Sequence, residues 1–529
     1  MKEAEKKDQR LLTSGIEIKP MYTSEDIKGL DLQDKSGEYP FTRGIYEDLY
    51  RKRPWTFRQY AGVGAADKGN ELFKQLIAKG LTGLSIALDL PTQIGLDSDD
   101  EWAFSEVGGV GVPIDTLADV ELLLDGINLN EISVSITVNA STPIIMAMLL
   151  NFAQKRGFDF KKLTGTLQND ILKEYVSRGT WIFPIEPSMK LTADVIEFCT
   201  RNVPGFNPIN VCGYHLREAG ANAVQEIAYS ILNARAFMDE TLKRGIKIDE
   251  FAHRITFAHS AGMHIFEEVA KFRAARKIWA KILKEEYGAT NPNVMRAKFG
   301  VGSSASLVTA EQPLNNLARV AYMALGAVLG GIQSLHLTTY DEAYAIPTEE
   351  STTLSIRIQQ ILMAETGVTD TVDPLGGSYY IESLTSEMEK KIYEEMDRVS
   401  EKYGNILKAI SAGYLQNEIY NQRYSLEKEI KSGSRKVVGR NCFTQEGEGR
   451  LLELKKWDDE APKRQIAALN KVKKERDNQA VAQGLAKLRK AIENGENLMP
   501  TLIEVVKTYA TLGEIIGIMK EYYGEYVQV

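Results

Sequence analysis

Residues 50–62 run YRKRPWTFRQYAG, placing four cations among three tyrosine or tryptophan rings and a phenylalanine. Exposed, such a stretch would invite aggregation, and buried it would strand several charges. Its plainer reading is surface charge over a buried aromatic staple. Other chemistry lies in runs where polar and apolar residues alternate. Ser133, Ser135, Thr137 and Asn139 alternate with Ile132, Val134, Ile136 and Val138. Thr164, Thr166 and Gln168 alternate with Gly165 and Leu167, and Gly213 and His215 with Cys212 and Tyr214. Period two places each polar set on one face of a strand. The surface they form is either a partly packed polar core or a channel for a long, thin, hydrogen-bonding ligand. Cys199, Cys212 and Cys442 are too scattered for a disulfide framework. His253, His259 and His264 match no standard metal spacing and read as structural, so no metal site is expected.

The elements that must carry these residues alternate. GLSIALDLPT, ISVSITVNAST, LTGTLQND, INVCGYHLREAG, RITFAHSAG and IQSLHLTTYDE read as strands running into loops. Helical stretches such as ELFKQLIAKG and NAVQEIAYSILNARAFMDETLKRG lie between them. Alternation of this kind predicts an α/β fold with parallel strands. No glycine-rich phosphate fingerprint follows the first strand, and GVGSSAS near residue 300 fits neither nucleotide pattern. A (β/α)8 TIM barrel is therefore expected over a doubly wound sheet. Its outer face should be apolar beneath helices and its inner face polar, unlike the usual packed barrel interior. The division expected is an N-terminal arm over 1–40, the barrel over 41–400 and a C-terminal helical region over 401–529. That last region looks helical from Pro462 onward, proline being tolerated in a first helical turn. The chain of 529 residues has net charge −8, which disfavours nucleic acid. No apolar run approaches the roughly 18 residues of a membrane span, and the start MKEAEKKDQRLL lacks a signal-peptide core. A cytoplasmic location is the expectation.

Several motifs together give a family resemblance. RPWTFRQYAG, LTGTLQNDILKEY, FPIEPSMK, GYHLREAGA, LNNLARVA, QSLHLTTYDEAYAIPT and DPLGGSYYIESLT occur in that order. From about Tyr46 to the C-terminal ATLGEIIGIMKEYYGEY the chain resembles the large, catalytic (alpha) subunit of methylmalonyl-CoA mutase, an adenosylcobalamin-dependent acyl-CoA mutase. The resemblance implies radical isomerisation between (R)-methylmalonyl-CoA and succinyl-CoA. Cobalt–carbon homolysis in the cofactor would supply the radical, while the protein orients the substrate and excludes water.

It also implies residue roles. His215 would hydrogen-bond the thioester oxygen, Tyr214 would stand near the corrin, Gln168 would orient the acyl group, and Tyr60 would press on it. Arg178 would pair with the free carboxylate. Tyr46, Arg53, Thr56 and Arg58 at the entrance would contact CoA or substrate. Arg254 and Thr256 would meet its phosphates, with Asn207, Ser85, Ser135, Thr137 and Thr166 along the channel and Gln333 in the acyl pocket. Glu342 would hold the adenosyl ribose, with Thr338 on the same cofactor side.

Tyr60 and Arg178 bear on the substrate. Relatives acting on isobutyryl-CoA or 2-hydroxyisobutyryl-CoA replace both, so retention of Arg178 favours a dicarboxylic acyl group; a substituted succinyl-CoA would also satisfy it. Two cofactor-side positions depart from the family: in KFGVGSSASLVTAEQ the stretch ahead of LVTAEQ lacks the Gln-Thr-Ala/Ser-Gly of many relatives and the bulky residue that often follows it, and Thr338 stands where many relatives have Asn. The small residues Gly302, Ser303, Ser304, Ala305 and Ser306 imply spare volume there. None of the five histidines sits in Asp-x-His-x-x-Gly, the mark of the family's cobalamin-binding domain. The expectation is a partner: a cobalamin-binding small subunit in a heterodimer or dimer of heterodimers. A different class, a non-catalytic acyl-CoA-binding scaffold, is opposed by the intact His215, Tyr214 and Glu342.

Overall fold

The computed structural model describes residues 10–58, 60–61, 64–78, 81, 83–445 and 458–528. Twelve strands occur among them. β1 (Arg10–Leu11) and β2 (Glu17–Ile18) form an antiparallel hairpin. Then follow β3 (Thr56–Arg58), β4 (Tyr60–Ala61), β5 (Gly83–Ala87), β6 (Ser133–Thr137), β7 (Gly165–Gln168) and β8 (Phe206–Asn207). β9 (Ile209–Cys212), β10 (Ile255–Ala261), β11 (Phe299–Ser303) and β12 (Ser334–His336) complete the set. Two five-stranded sheets result, in the orders β4-β5-β6-β7-β8 and β3-β12-β11-β10-β9. Pairing is parallel from β4 to β8 and from β10 to β12. Parallel sheets with helical crossovers are the α/β architecture of the (β/α)8 class.

Two compact units divide the chain. One comprises the described parts of 1–57, 212–234 and 256–455; the other comprises 58–211, 235–255 and 456–529. The helices Tyr379–Tyr403, Ile406–Ser411 and Tyr414–Ser432 belong to the first unit. Those at Ala461–Glu475, Asn478–Glu493, Met499–Val506 and Leu512–Tyr523 belong to the second. The C-terminal helical stretch thus contributes to both, and Pro462 does occupy a first turn.

In the second unit the alternation of β6 is realised as read. Val134 and Ile136 are buried while Ser133, Ser135 and Thr137 keep access to solvent. The apolar face meets helices: Ile86, Leu88 and Ile136 share a layer with Val120, Leu123, Ile145 and Leu149. The helix Thr142–Lys155 is buried nearly all round, which explains its uniformly apolar sequence, TPIIMAMLLNFA. Asn151, polar in that run, donates its amide to the carbonyls of Ala147 at 2.9 Å and Ile503 at 2.8 Å. A buried amide left unpaired there would be costly.

In the first unit the start of the arm is docked. Leu12 and Ile16 are buried, and buried Glu267 accepts from Thr13 Oγ1 at 2.7 Å and from Ser14 N and Oγ at 2.9 and 2.6 Å. The sequence reading is corrected twice. INVCGYHLREAG runs from a strand into a helix rather than a loop: INVC is β9, which ends at Cys212, and a helix spans Tyr214–Ala219. A strand absent from the sequence reading, β11, spans Phe299–Ser303 around Gly302. Its glycines lower strand propensity and hid it.

Candidate active site

In the second unit one transverse row crosses the sheet. Tyr60 pairs with Ser85, Ser85 with Ser135, Ser135 with Thr166, and Thr166 with Asn207. Residues in register on parallel strands point to one face, so four predicted channel residues share a line. Asn207 Nδ2 donates to Thr166 Oγ1 at 3.0 Å. Two residues further along, Thr137 pairs with Gln168 on that face. Two residues back, a β-carbon on Gly83 would stand 3.1 Å from Arg58 Nη1. The glycine there makes room for the guanidinium. The side chain of Tyr60 lies outside the described part of the structure. Arg254 Nη1 donates to Gly205 O at 3.4 Å, and burial lowers its basicity.

Beyond the C-terminal ends of β5 to β7 lies a cluster around Arg178. The segment Glu174–Arg178 forms a π-turn closed by Gly179, whose φ of 89° favours glycine. Arg178 Nη1 donates to Gln93 Oε1 at 2.6 Å and Thr180 Oγ1 at 3.1 Å, and lies 3.4 Å from Glu174 Oε1. Glu174, fully buried, is shared: Lys173 Nζ bonds its Oε1, and Thr180 N donates to its Oε2 at 3.0 Å. Lys173 also reaches Asn139 Oδ1 at 3.0 Å. Gln93, Thr180, Glu174 and Lys173 were not singled out from the sequence. The one local signal was Arg-Gly at 178–179, a cation set at a tight turn.

The remaining predicted residues lie in the first unit. Tyr214 and His215 occupy the first turn of the helix Tyr214–Ala219, their rings 5.5 Å apart edge to face. Cys212 Sγ lies 3.3 Å from His215 Nδ1. A buried charge network fixes that helix. Arg217 Nη2 lies 3.4 Å from Glu268 Oε1, and Glu218 accepts from Ser260 Oγ at 3.0 Å and Ser306 N at 2.7 Å. Lys271, fully buried, reaches Glu226 Oε2 at 2.8 Å and also pairs with Glu268. Burial alone would raise the Glu226 carboxyl, but Lys271 and the hydrogen bond from His259 hold it down at about 2. Burial also lowers His259, which is neutral beside Glu226. His259 is thus a core residue, and no metal-ligating cluster occurs among the described residues.

Tyr46 is exposed beneath Arg296, 5.5 Å from its guanidinium carbon. Arg53, also exposed, follows the short helix Leu49–Lys52. Thr56 N donates to Gln333 O at 2.9 Å. The Gln333 side chain accepts from Phe299 N at 2.7 Å and donates to Gly331 O at 2.9 Å. Thr256 is buried in β10. Thr338 is buried against β11: its N donates to Ser303 Oγ at 2.8 Å and its Oγ1 to Ser303 O at 2.9 Å. Glu342 is exposed and accepts from Thr339 Oγ1 at 3.3 Å.

Comparison with known proteins agrees with the motifs. A family model described as methylmalonyl-CoA mutase matches residues 12–525. The 2-hydroxyisobutanoyl-CoA mutase large subunit of Aquincola tertiaricarbonis is 44% identical over 99% of this chain and 94% of its own length. Methylmalonyl-CoA mutases of Rhizobium meliloti and Escherichia coli are 39% and 38% identical, each over 97% of this chain and 72% of the relative. No helix among the described residues is long and apolar enough to cross a membrane.

Proposed function

Because the chain belongs to the methylmalonyl-CoA mutase family and is a cobalamin-dependent acyl-CoA mutase, we propose that it rearranges a dicarboxylic acyl-CoA, interconverting (R)-methylmalonyl-CoA and succinyl-CoA. The observation that carries this reading is the setting of Arg178. Two of the three acceptors on Nη1 are neutral, Gln93 and Thr180, and the third, Glu174, is shared with Lys173. Among the described residues no acceptor is assigned to Nε or Nη2. A planar cation with one edge unspent suits a bidentate carboxylate.

Adenosylcobalamin, when bound, supplies the radical chemistry. The chain's residues bind, orient and shield. The polar row Ser85–Ser135–Thr166–Asn207 suits an extended amide-bearing chain such as pantetheine, and Arg58 beside Gly83 suits an anionic group. Gln168 and His215 are assigned to the acyl thioester, with His215 donating to its oxygen; such assistance contributes roughly 100- to 10,000-fold. Tyr214, whose ring packs against Gly302, is assigned to the corrin side. We assign cobalamin itself to a separate small subunit. The relative from Aquincola is named a large subunit.

A second reading is favoured by that relative's 44% identity: a 2-hydroxyisobutanoyl-CoA substrate. It leaves Arg178 without a second carboxylate to pair. The chain, mixed with adenosylcobalamin and a cobalamin-binding small subunit, should turn over succinyl-CoA in preference to 2-hydroxyisobutanoyl-CoA. The opposite preference would replace the first reading by the second, and turnover without the small subunit would overturn the partner assignment.

A further inference from the structure

Arg178 is aimed by a residue with no assigned role. Gln93 is buried, with both ends of its amide engaged: Nε2 donates to Leu88 O at 2.6 Å, and Oε1 accepts from Arg178 Nη1 at 2.6 Å. The carbonyl of Leu88 can only accept, so the amide has one possible orientation and its oxygen must face the arginine. The short helix carrying Gln93, Leu90–Ile94, is itself fixed. Asp89 caps it, its Oδ1 accepting from Thr92 N at 3.0 Å and its Oδ2 from Gly108 N at 2.9 Å. Gly95 closes it at φ 76°, where a β-carbon would stand 2.7 Å from Ile516 and 3.0 Å from Ile182.

We propose that Gln93 is the positioning residue that sets acid specificity, holding Arg178 by Nη1 so that its Nε–Nη2 edge meets the free carboxylate of a dicarboxylic acyl-CoA. The proposal rests on the reading of Arg178 given above. Neutrality of the holder matters. A carboxylate at this distance would neutralise the guanidinium and compete with the substrate, whereas an amide oxygen orients it and leaves its charge. Glu174 does not compete in that way, because Lys173 and Thr180 already engage both its oxygens.

The test is equilibrium binding of succinyl-CoA and isobutyryl-CoA to the full chain by calorimetry, for the wild type, Gln93→Glu, Gln93→Met and Arg178→Gln. The wild type should prefer succinyl-CoA. Gln93→Glu should cut that preference at least about tenfold, and Gln93→Met, with no acceptor, by several-fold, while isobutyryl-CoA affinity stays within about twofold. Should Gln93→Glu fail to fold, Gln93→Met decides alone. If the preference survives in the Gln93 variants and collapses in Arg178→Gln, Gln93 is mere packing and the carboxylate reading stands. If Arg178→Gln also keeps it, or the wild type has none, the carboxylate reading itself falls.

Discussion

A β-carbon on Gly302 would stand 2.8 Å from Cε2 of Tyr214 and 3.2 Å from its Cδ2. The tyrosine ring therefore occupies the space that β11 leaves open at this glycine, and the spare volume expected there from the sequence is not spare at Gly302. Contacts under 3.0 Å cannot persist, so Gly302→Ala must displace the ring. Its kcat should fall roughly tenfold with little change in thermal stability, the ring being movable. A double-mutant cycle with Tyr214→Ala checks this. If the two losses simply add, the ring does not depend on Gly302.

Lys173 and Glu174 are fully buried partners. Lys173→Met should destabilise the chain by about 3–5 kcal/mol, the cost of stranding one member of a buried pair. Glu174 would then turn to Arg178, so binding of succinyl-CoA should weaken beyond any loss seen with isobutyryl-CoA. Urea unfolding and parallel binding curves separate the two effects. Unchanged stability would mean that water reaches Glu174.

Asp115 and Asp119 are buried side by side and share one donor: Gln465 Nε2 reaches Asp115 Oδ2 at 2.8 Å and Asp119 Oδ1 at 2.9 Å. Burial, then the charge of Asp119, pushes the Asp115 carboxyl up to about 8. The native state thus holds a proton that the unfolded chain releases near pH 4, so this group's contribution to stability declines as pH rises from about 4 to about 8. Melting temperature should fall from pH 6 to pH 9, and Asp115→Asn should flatten that slope. A wild-type melt that rises over this range would show the pair fully ionised.

The sequence was most legible where geometry is local. Ser133, Ser135 and Thr137 announced their face through period two, and β6 bears them on it. The same rule failed at His215, because a helix starts at Tyr214 and ends the alternation. The transverse row from Ser85 to Asn207 needs strand register, which pairing between distant segments decides. Gln93 and Arg178 are 85 residues apart. No spacing rule joins them; parallel strand order brings the turns after β5 and β7 together. Gly302 gave a misleading signal, since a glycine reads as open space until the ring that fills it is located.

Cys212 Sγ, 3.3 Å from His215 Nδ1, bears on the tautomer of the imidazole. A thiol donating to Nδ1 leaves the ring proton on Nε2, so the opposite side of the ring becomes the donor, as a thioester oxygen requires. Cys212→Ser keeps a donor at this position, while Cys212→Ala removes it and lets the ring proton move to Nδ1. The alanine variant should lose roughly tenfold in kcat, within the range of a general-acid contribution, with KM little changed. The serine variant should retain most activity. Nitrogen chemical shifts of His215 read the tautomer directly, and a packing defect alone would not move them toward Nδ1 protonation. If alanine leaves both the shifts and kcat where they were, the thiol is a bystander.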